Sequence, residues 1–234
     1  MIFLLLILAH LLGDFILQPD SWVAHKEKNK LKSVYLYLHV FIHAALTFLF
    51  LWDLELWWIV SIIAVSHYLI DAAKLTYQKT NTKKFWFFLD QALHISVILG
   101  IVIYVNGFNF ENLINEKTIL ILTGSVFISL PTSVLIKNLL SSWSPITIDH
   151  SKIQTESLVH AGKYIGILER VLVFIFIIVN HWEGVGFMIA AKSVFRFSDL
   201  AEAKQRKLTE YVLIGTLLSF GIAIITGILV KYQF

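Results

Sequence analysis

Residues 57–77 read WWIVSIIAVSHYLIDAAKLTY. As a helix this run is about 31 Å long, the thickness of a bilayer's hydrocarbon core. Its polar residues are not scattered. His67, Asp71 and Lys74 follow one another at i, i+4 and i+7, which places them on one helix face. Unsatisfied polar groups in hydrocarbon are costly, so that face must turn towards other helices. The stretch therefore predicts a membrane helix with a polar interior face.

Seven further apolar runs lie on either side of it. They are Met1–Gln18, Ser33–Trp52, Trp86–Asn106, Lys117–Leu140, Lys163–His181, Gly184–Phe197 and Thr209–Tyr232. Gly184–Phe197 is short enough to be re-entrant rather than spanning. Met1–Gln18 lacks a basic start and a small-residue cleavage site, and it carries His10 and Asp14, so it does not read as a signal peptide. The expected fold is all-α, a polytopic membrane protein of seven or eight transmembrane helices with a four-helix N-terminal bundle. Residues 1–106 form that bundle, 107–162 a fifth helix and a cytoplasmic linker, and 163–234 a three-helix second half, all in one integrated membrane domain. Ser141–Gly162, with Pro145, is the longest polar segment.

Composition agrees. The 234 residues are 57% hydrophobic and 15% charged, against about 45–50% and 25% in soluble domains. Mean hydropathy is +0.75. Disorder is excluded by the apolar content, and a disulfide-stapled fold by the absence of cysteine. A net charge of +3 is weak evidence for nucleic acid, and no such partner is expected.

Most of the 19 basic residues fall on one side of the spans. Lys26, Lys28, Lys30 and Lys32 follow the first run; Lys74, Lys79, Lys83 and Lys84 surround the end of the third. Lys137, Lys152 and Lys163 flank the linker, and Lys192, Arg196, Lys204, Arg206 and Lys207 surround the end of the seventh. The positive-inside rule places these segments in the cytoplasm and both termini outside a plasma membrane.

Within the spans, four consecutive helices carry ionisable stripes: His10, Asp14 and Gln18; His39 and His43; His67 and Asp71; Asp90, Gln91 and His94. Counted from the basic side at 1.5 Å per residue, all of the histidines and aspartates lie about 6–15 Å deep. Helices of alternating direction thus bring their motifs into one band. A lone buried histidine is more often a hydrogen-bonded core residue than a ligand. A whole constellation in a costly environment points to a metal or proton-active site. Imidazoles and carboxylates without thiolates suit a divalent metal, zinc first, with iron or manganese as alternatives. The candidate ligands are His10, Asp14, His39, His43, His67, Asp71 and His94. Asp90 and Asp14 are the candidate catalytic bases. These groups are too many for one tetrahedral ion, so either two ions bind or some carboxylates orient ligating histidines. His25, His150, His160 and His181 are read as solvent-facing.

The second half carries Glu169, Arg170, Lys192, Arg196 and Glu210. With Lys74, they read either as a buried ion-pair network or as donors for an anionic headgroup. Gly162 and Gly166 are spaced for close helix contact, within the chain or between chains, leaving the oligomeric state open.

The runs HLLGDFILQPDSW (10–22), LHVFIH (38–43), SHYLIDAAK (66–74) and LDQALH (89–94) resemble a bacterial family of multi-pass membrane proteins, domain of unknown function 3307. So do GKYIGILERVLVFIF, GFMIAAKSVFRF and TEYVLIGTLLS later in the chain. The resemblance implies a bacterial inner membrane and a SatD-type protein as partner; it implies no reaction. The residues themselves favour a metal-dependent hydrolase or lipid-modifying enzyme acting on a membrane lipid or lipid-linked phosphate. The alternatives are a divalent-cation transporter and a structural or partner-binding membrane protein. Against transport, Ile2–Leu8, Ala44–Leu51 and Ile95–Ile103 offer few ligands on the way out.

Overall fold

The computed structural model describes residues 1–106, 117–141, 143, 156–197 and 206–233, which are helical apart from short turns, with no strand among them. The helices are α1 (Ile2–Leu11), α2 (Asp20–Asn29), α3 (Val34–Leu51), α4 (Trp57–Tyr77), α5 (Lys83–Asn106), α6 (Lys117–Ile128), α7 (Leu130–Leu140), α8 (Glu156–Ile178), α9 (Trp182–Phe197) and α10 (Arg206–Lys231). Most of the linker, with Pro145 and His150, lies outside the described residues.

Five stretches are long and apolar enough to cross a membrane: Val34–Leu51, Leu54–Tyr77, Thr80–Val105, Lys117–Leu140 and Glu210–Lys231. A sixth is added if Ile2–Ile16 and Asp20–Lys32, bent by 81°, count as one span. The described residues thus give five or six spans where the sequence predicts seven or eight. The reasons are physical. Helix α9 has 16 residues, about 24 Å, short of the hydrocarbon thickness. Helix α8 carries Lys163, Glu169 and Arg170 within its apolar run. Large apolar side chains face outward on the long helices, among them Phe41, Val65, Leu69 and Tyr104, while the histidines and aspartates of α3, α4 and α5 are buried. That polarity is inverted relative to a soluble protein and suits lipid.

The chain divides into two compact units, Met1–Val126 and Phe127–Phe234. In the first, α1 packs on α3 and α5, α3 on α4, and α4 on α5, so four helices neighbour one another in a closed cycle. One half of this quartet is apolar: Leu6, Ile59, Ile63, Ile98, Ile101 and Val102 form its core. The other half holds the polar stripes. Helix α1 does not continue through Gln18. It passes into a π-helical turn at Leu12–Ile16, and Pro19 then starts α2 in a new direction. Helix α2 is held by Trp22 stacked on Tyr35, with ring centroids 5.0 Å apart. It is tied to the α4–α5 turn by Glu27, which accepts from Gln78 and pairs with Lys83.

In the second unit, α8 packs on α10, α9 and α7 around Val173, Ile177, Val185, Phe220 and Ala223. The apolar run 117–140 is broken at Ser129, before Pro131. A proline cannot donate its i→i−4 bond, and carbonyls freed in lipid need new partners. Arg170 supplies them: its Nε donates to Ile128 O and its Nη2 to Ser129 O. Thr132 Oγ1 donates to Phe127 O at 2.7 Å.

Candidate metal centre

Each helix of the quartet delivers its stripe to one place. α1 brings His10, the π-turn Asp14, α3 His39 and His43, α4 His67 and Asp71, and α5 Asp90, Gln91 and His94. All of the histidines, with Asp71 and Asp90, are 5% exposed or less; the Asp14 side chain is 11% exposed. On α3 and α4 the i, i+4 spacing stacks each pair on one face. At Asp14 the backbone also matters. A Cβ on Gly13 would lie 2.4 Å from Cε1 and Nε2 of His43. Only glycine lets that imidazole lie against the turn, so Gly13 is what allows His43 and Asp14 to meet.

Asp14 Oδ1 is the focus. His43 Nε2 lies 3.0 Å from it, His39 Nε2 3.3 Å and His67 Nε2 3.6 Å. His39 Nε2 and His67 Nε2 are 3.0 Å apart. In a tetrahedral site with bonds of 2.0–2.1 Å, ligand atoms stand about 3.3 Å from one another. The spacings seen here scatter around that value. Ligand atoms of His10, Asp14, His43 and His67 all lie within 4.8 Å of one another, as do those of His39, His67 and Asp71. The protein thus holds buried His/Asp groups able to bind a metal ion.

The surrounding hydrogen bonds fix orientations, as they do around bound metals. A carboxylate only accepts, so Gln91 turns its amide nitrogen to Asp14 Oδ2 at 2.7 Å. Its Oε1 then accepts from His10 Nε2 at 3.1 Å. His94 Nδ1 donates to the backbone carbonyl of Asp90 at 2.8 Å, which leaves Nε2 bare. A small cavity, with room for about one water molecule, is lined by His10, His43, His67 and His94 together with Thr47 and Ser66.

Two lysines enter the cluster. Lys26 Nζ donates to Asp71 Oδ2 and Lys74 Nζ to Asp90 Oδ2, each at 2.8 Å. The sequence groups Lys74 with the charges of the second half; its partner in the structure is Asp90, within the first unit. The sequence reads Lys26 as one of the basic residues of a cytoplasmic loop; it is 6% exposed. The sequence reading gives Gln91 a place in the α5 stripe but no role, and singles out nothing at Gly13. The signal for Lys26 is its place three and four residues after Val23 and Trp22, the inward face of α2. Three more lysines around it in sequence mask that signal. His25, as expected, is exposed, and donates to or accepts from Ser33 Oγ at 2.8 Å; His181 is exposed too.

In the second unit Lys192 pairs with Glu169. Arg170 bonds neutral groups: besides the two carbonyls, it donates to Ser133 Oγ and to Ser219 Oγ. Glu210 is exposed. The side chains of Arg196 and His160 lie outside the described residues.

No curated protein and no solved structure matches the chain. Residues 2–121 match the family described as "Protein of unknown function (DUF3307)", and the match spans the whole quartet and its His/Asp stripes. The later runs that carried part of the resemblance lie beyond it. The match covers just over half of the chain, which therefore belongs to this family of unknown function.

Proposed function

We propose that this protein is a membrane-embedded, metal-dependent hydrolase acting on a lipid or lipid-linked phosphate. One observation carries the reading: the Nε2 atoms of His43, His39 and His67 lie 3.0–3.6 Å from one carboxylate oxygen, Asp14 Oδ1, inside the helix quartet and beside room for one water. Asp14, His43 and His67 are the central ligands, with His39 on one flank and His10 on the other. Zinc is the first expectation, with iron or manganese behind it. Such an ion supplies Lewis acidity and a nucleophilic water at neutral pH. Asp14 is taken up by three imidazoles and Gln91, so of the two carboxylates considered as bases only Asp90 keeps a free oxygen.

Several features favour a resident ion over a transported one. The core next to the cluster is closed by Leu6, Ile59, Ile63, Ile98, Ile101 and Val102, whereas carrier sites need a polar path on both sides. The charged end is the one covered by α2 and its lysines. With the basic segments in the cytoplasm, the centre lies under the inner leaflet, within reach of phosphate-bearing headgroups.

Purified protein is expected to keep zinc, iron or manganese through chelator-free detergent purification, and to lose it in His67→Ala and in Asp14→Asn. Vesicles of mixed phospholipids and lipid-linked phosphates are then expected to yield a hydrolysis product with the metal-loaded protein only. Cation flux into proteoliposomes, abolished by His67→Ala and without any lipid product, would instead favour a carrier. A wild-type chain that binds none of the three metals ends the metal reading.

A further inference from the structure

The imidazole-rich group does not account for the whole cluster. Asp71, Asp90 and His94 present ligand atoms that all lie within 4.8 Å of one another. Two atoms of this trio are left over. Asp90 Oδ2 accepts from Lys74 and from Gln91, but Asp90 Oδ1 is buried without a partner. His94 Nε2 is buried without a partner as well; with Nδ1 donating to the Asp90 carbonyl, the neutral ring presents Nε2 as a lone pair. Each of these two lone-pair atoms is buried without a partner, which is expensive. Carboxylate oxygen and neutral imidazole nitrogen are both donors that a divalent cation takes.

We propose that Asp71, Asp90 and His94 form a second divalent-cation position, which makes the centre dinuclear. This rests on the reading of the first position as a metal site. The donor set is richer in oxygen than the first, so it selects a harder ion of the manganese or ferrous class. In metal-free protein the two ammonium groups occupy its carboxylates, Lys26 on Asp71 and Lys74 on Asp90. Lys74 is 26% exposed at its side chain and is free to withdraw as the ion arrives. Asp90 then serves as a ligand instead of a base. A pair of cations facing two lysines is suited to clamp the oxygens of a phosphoryl group.

The test uses full-length, chelator-stripped protein in detergent, both metal-free and preloaded with one equivalent of Zn²⁺. Each is titrated with Mn²⁺, with free Mn²⁺ read by electron paramagnetic resonance. Zinc-loaded wild type is expected to bind one further Mn²⁺ per chain. Asp90→Asn and His94→Ala are expected to weaken that binding by about tenfold or more, with the Zn²⁺ retained. Lys74→Met keeps the stem, removes the competing ammonium, and is expected to tighten Mn²⁺ by about tenfold. A gain of that kind cannot come from misfolding. No Mn²⁺ bound by zinc-loaded wild type, or one affinity shared by wild type and all three variants, overturns the second position. Failure to take up Zn²⁺ counts against the first position instead, and the Mn²⁺ titration of the metal-free chain still decides the second through the same three variants.

Discussion

Gly13 shows how one missing side chain sets the geometry of the His/Asp cluster. The His43 ring occupies the space that a Cβ at Gly13 would need, and from there His43 Nε2 reaches Asp14 Oδ1. Gly13→Ala must push either the imidazole or the π-turn away, at a cost of about 1–3 kcal/mol for overpacking. The expected outcome is a lower melting temperature together with lost metal. Gly100→Ala on α5 is the matched control, because nothing lies within 4 Å of its added Cβ. It is expected to be neutral or to stabilise by about 0.5–1 kcal/mol through helix propensity. Metal retained by Gly13→Ala at the wild-type level would show that His43 is not held where the geometry requires it.

The elements divide into those that build the centre and those that repair the backbone. Arg170 belongs to the second kind. It sits on α8 and spends its guanidinium on carbonyls exposed where α6 gives way to α7. A lysine keeps the charge but not the fork of donors. Arg170→Lys is therefore expected to lower thermal stability in detergent, by about 1–3 kcal/mol for each acceptor left bare, and to leave metal content unchanged. Loss of metal in that variant would tie the arginine to the site rather than to the helix break. The same distinction explains what the sequence made legible. Apolar runs of span length located the long helices within a few residues, because lipid leaves the backbone no alternative to helix. The polar stripes at i, i+4 located the cluster, because one helix face is a local property of the sequence. Neither signal reaches the π-turn, the bend at Pro19 or the inward turn of Lys26. Those depend on what the neighbouring helix places opposite: the His43 ring against Gly13, Tyr35 under Trp22, and the Asp71 carboxylate before Lys26.

Across the whole molecule, charge is scarce and therefore informative. In the first unit the basic segments gather at one end: α2 carries Lys26 and Lys28, and Glu27 ties it to Lys83 at the start of α5. The His/Asp cluster lies next to that end, and the apolar core of the quartet fills the other. If the positive-inside rule holds, the α2 end faces the cytoplasm. The absence of native cysteine makes this directly measurable. Lys28→Cys is expected to stay unlabelled by a membrane-impermeant maleimide in intact cells and to react after permeabilisation. Asn109→Cys, between α5 and α6 in sequence, is expected to react in intact cells. The reverse pattern would place the His/Asp cluster under the opposite leaflet. A lipid phosphate substrate would then have to come from the outer surface, and the vesicle assay would have to present it there.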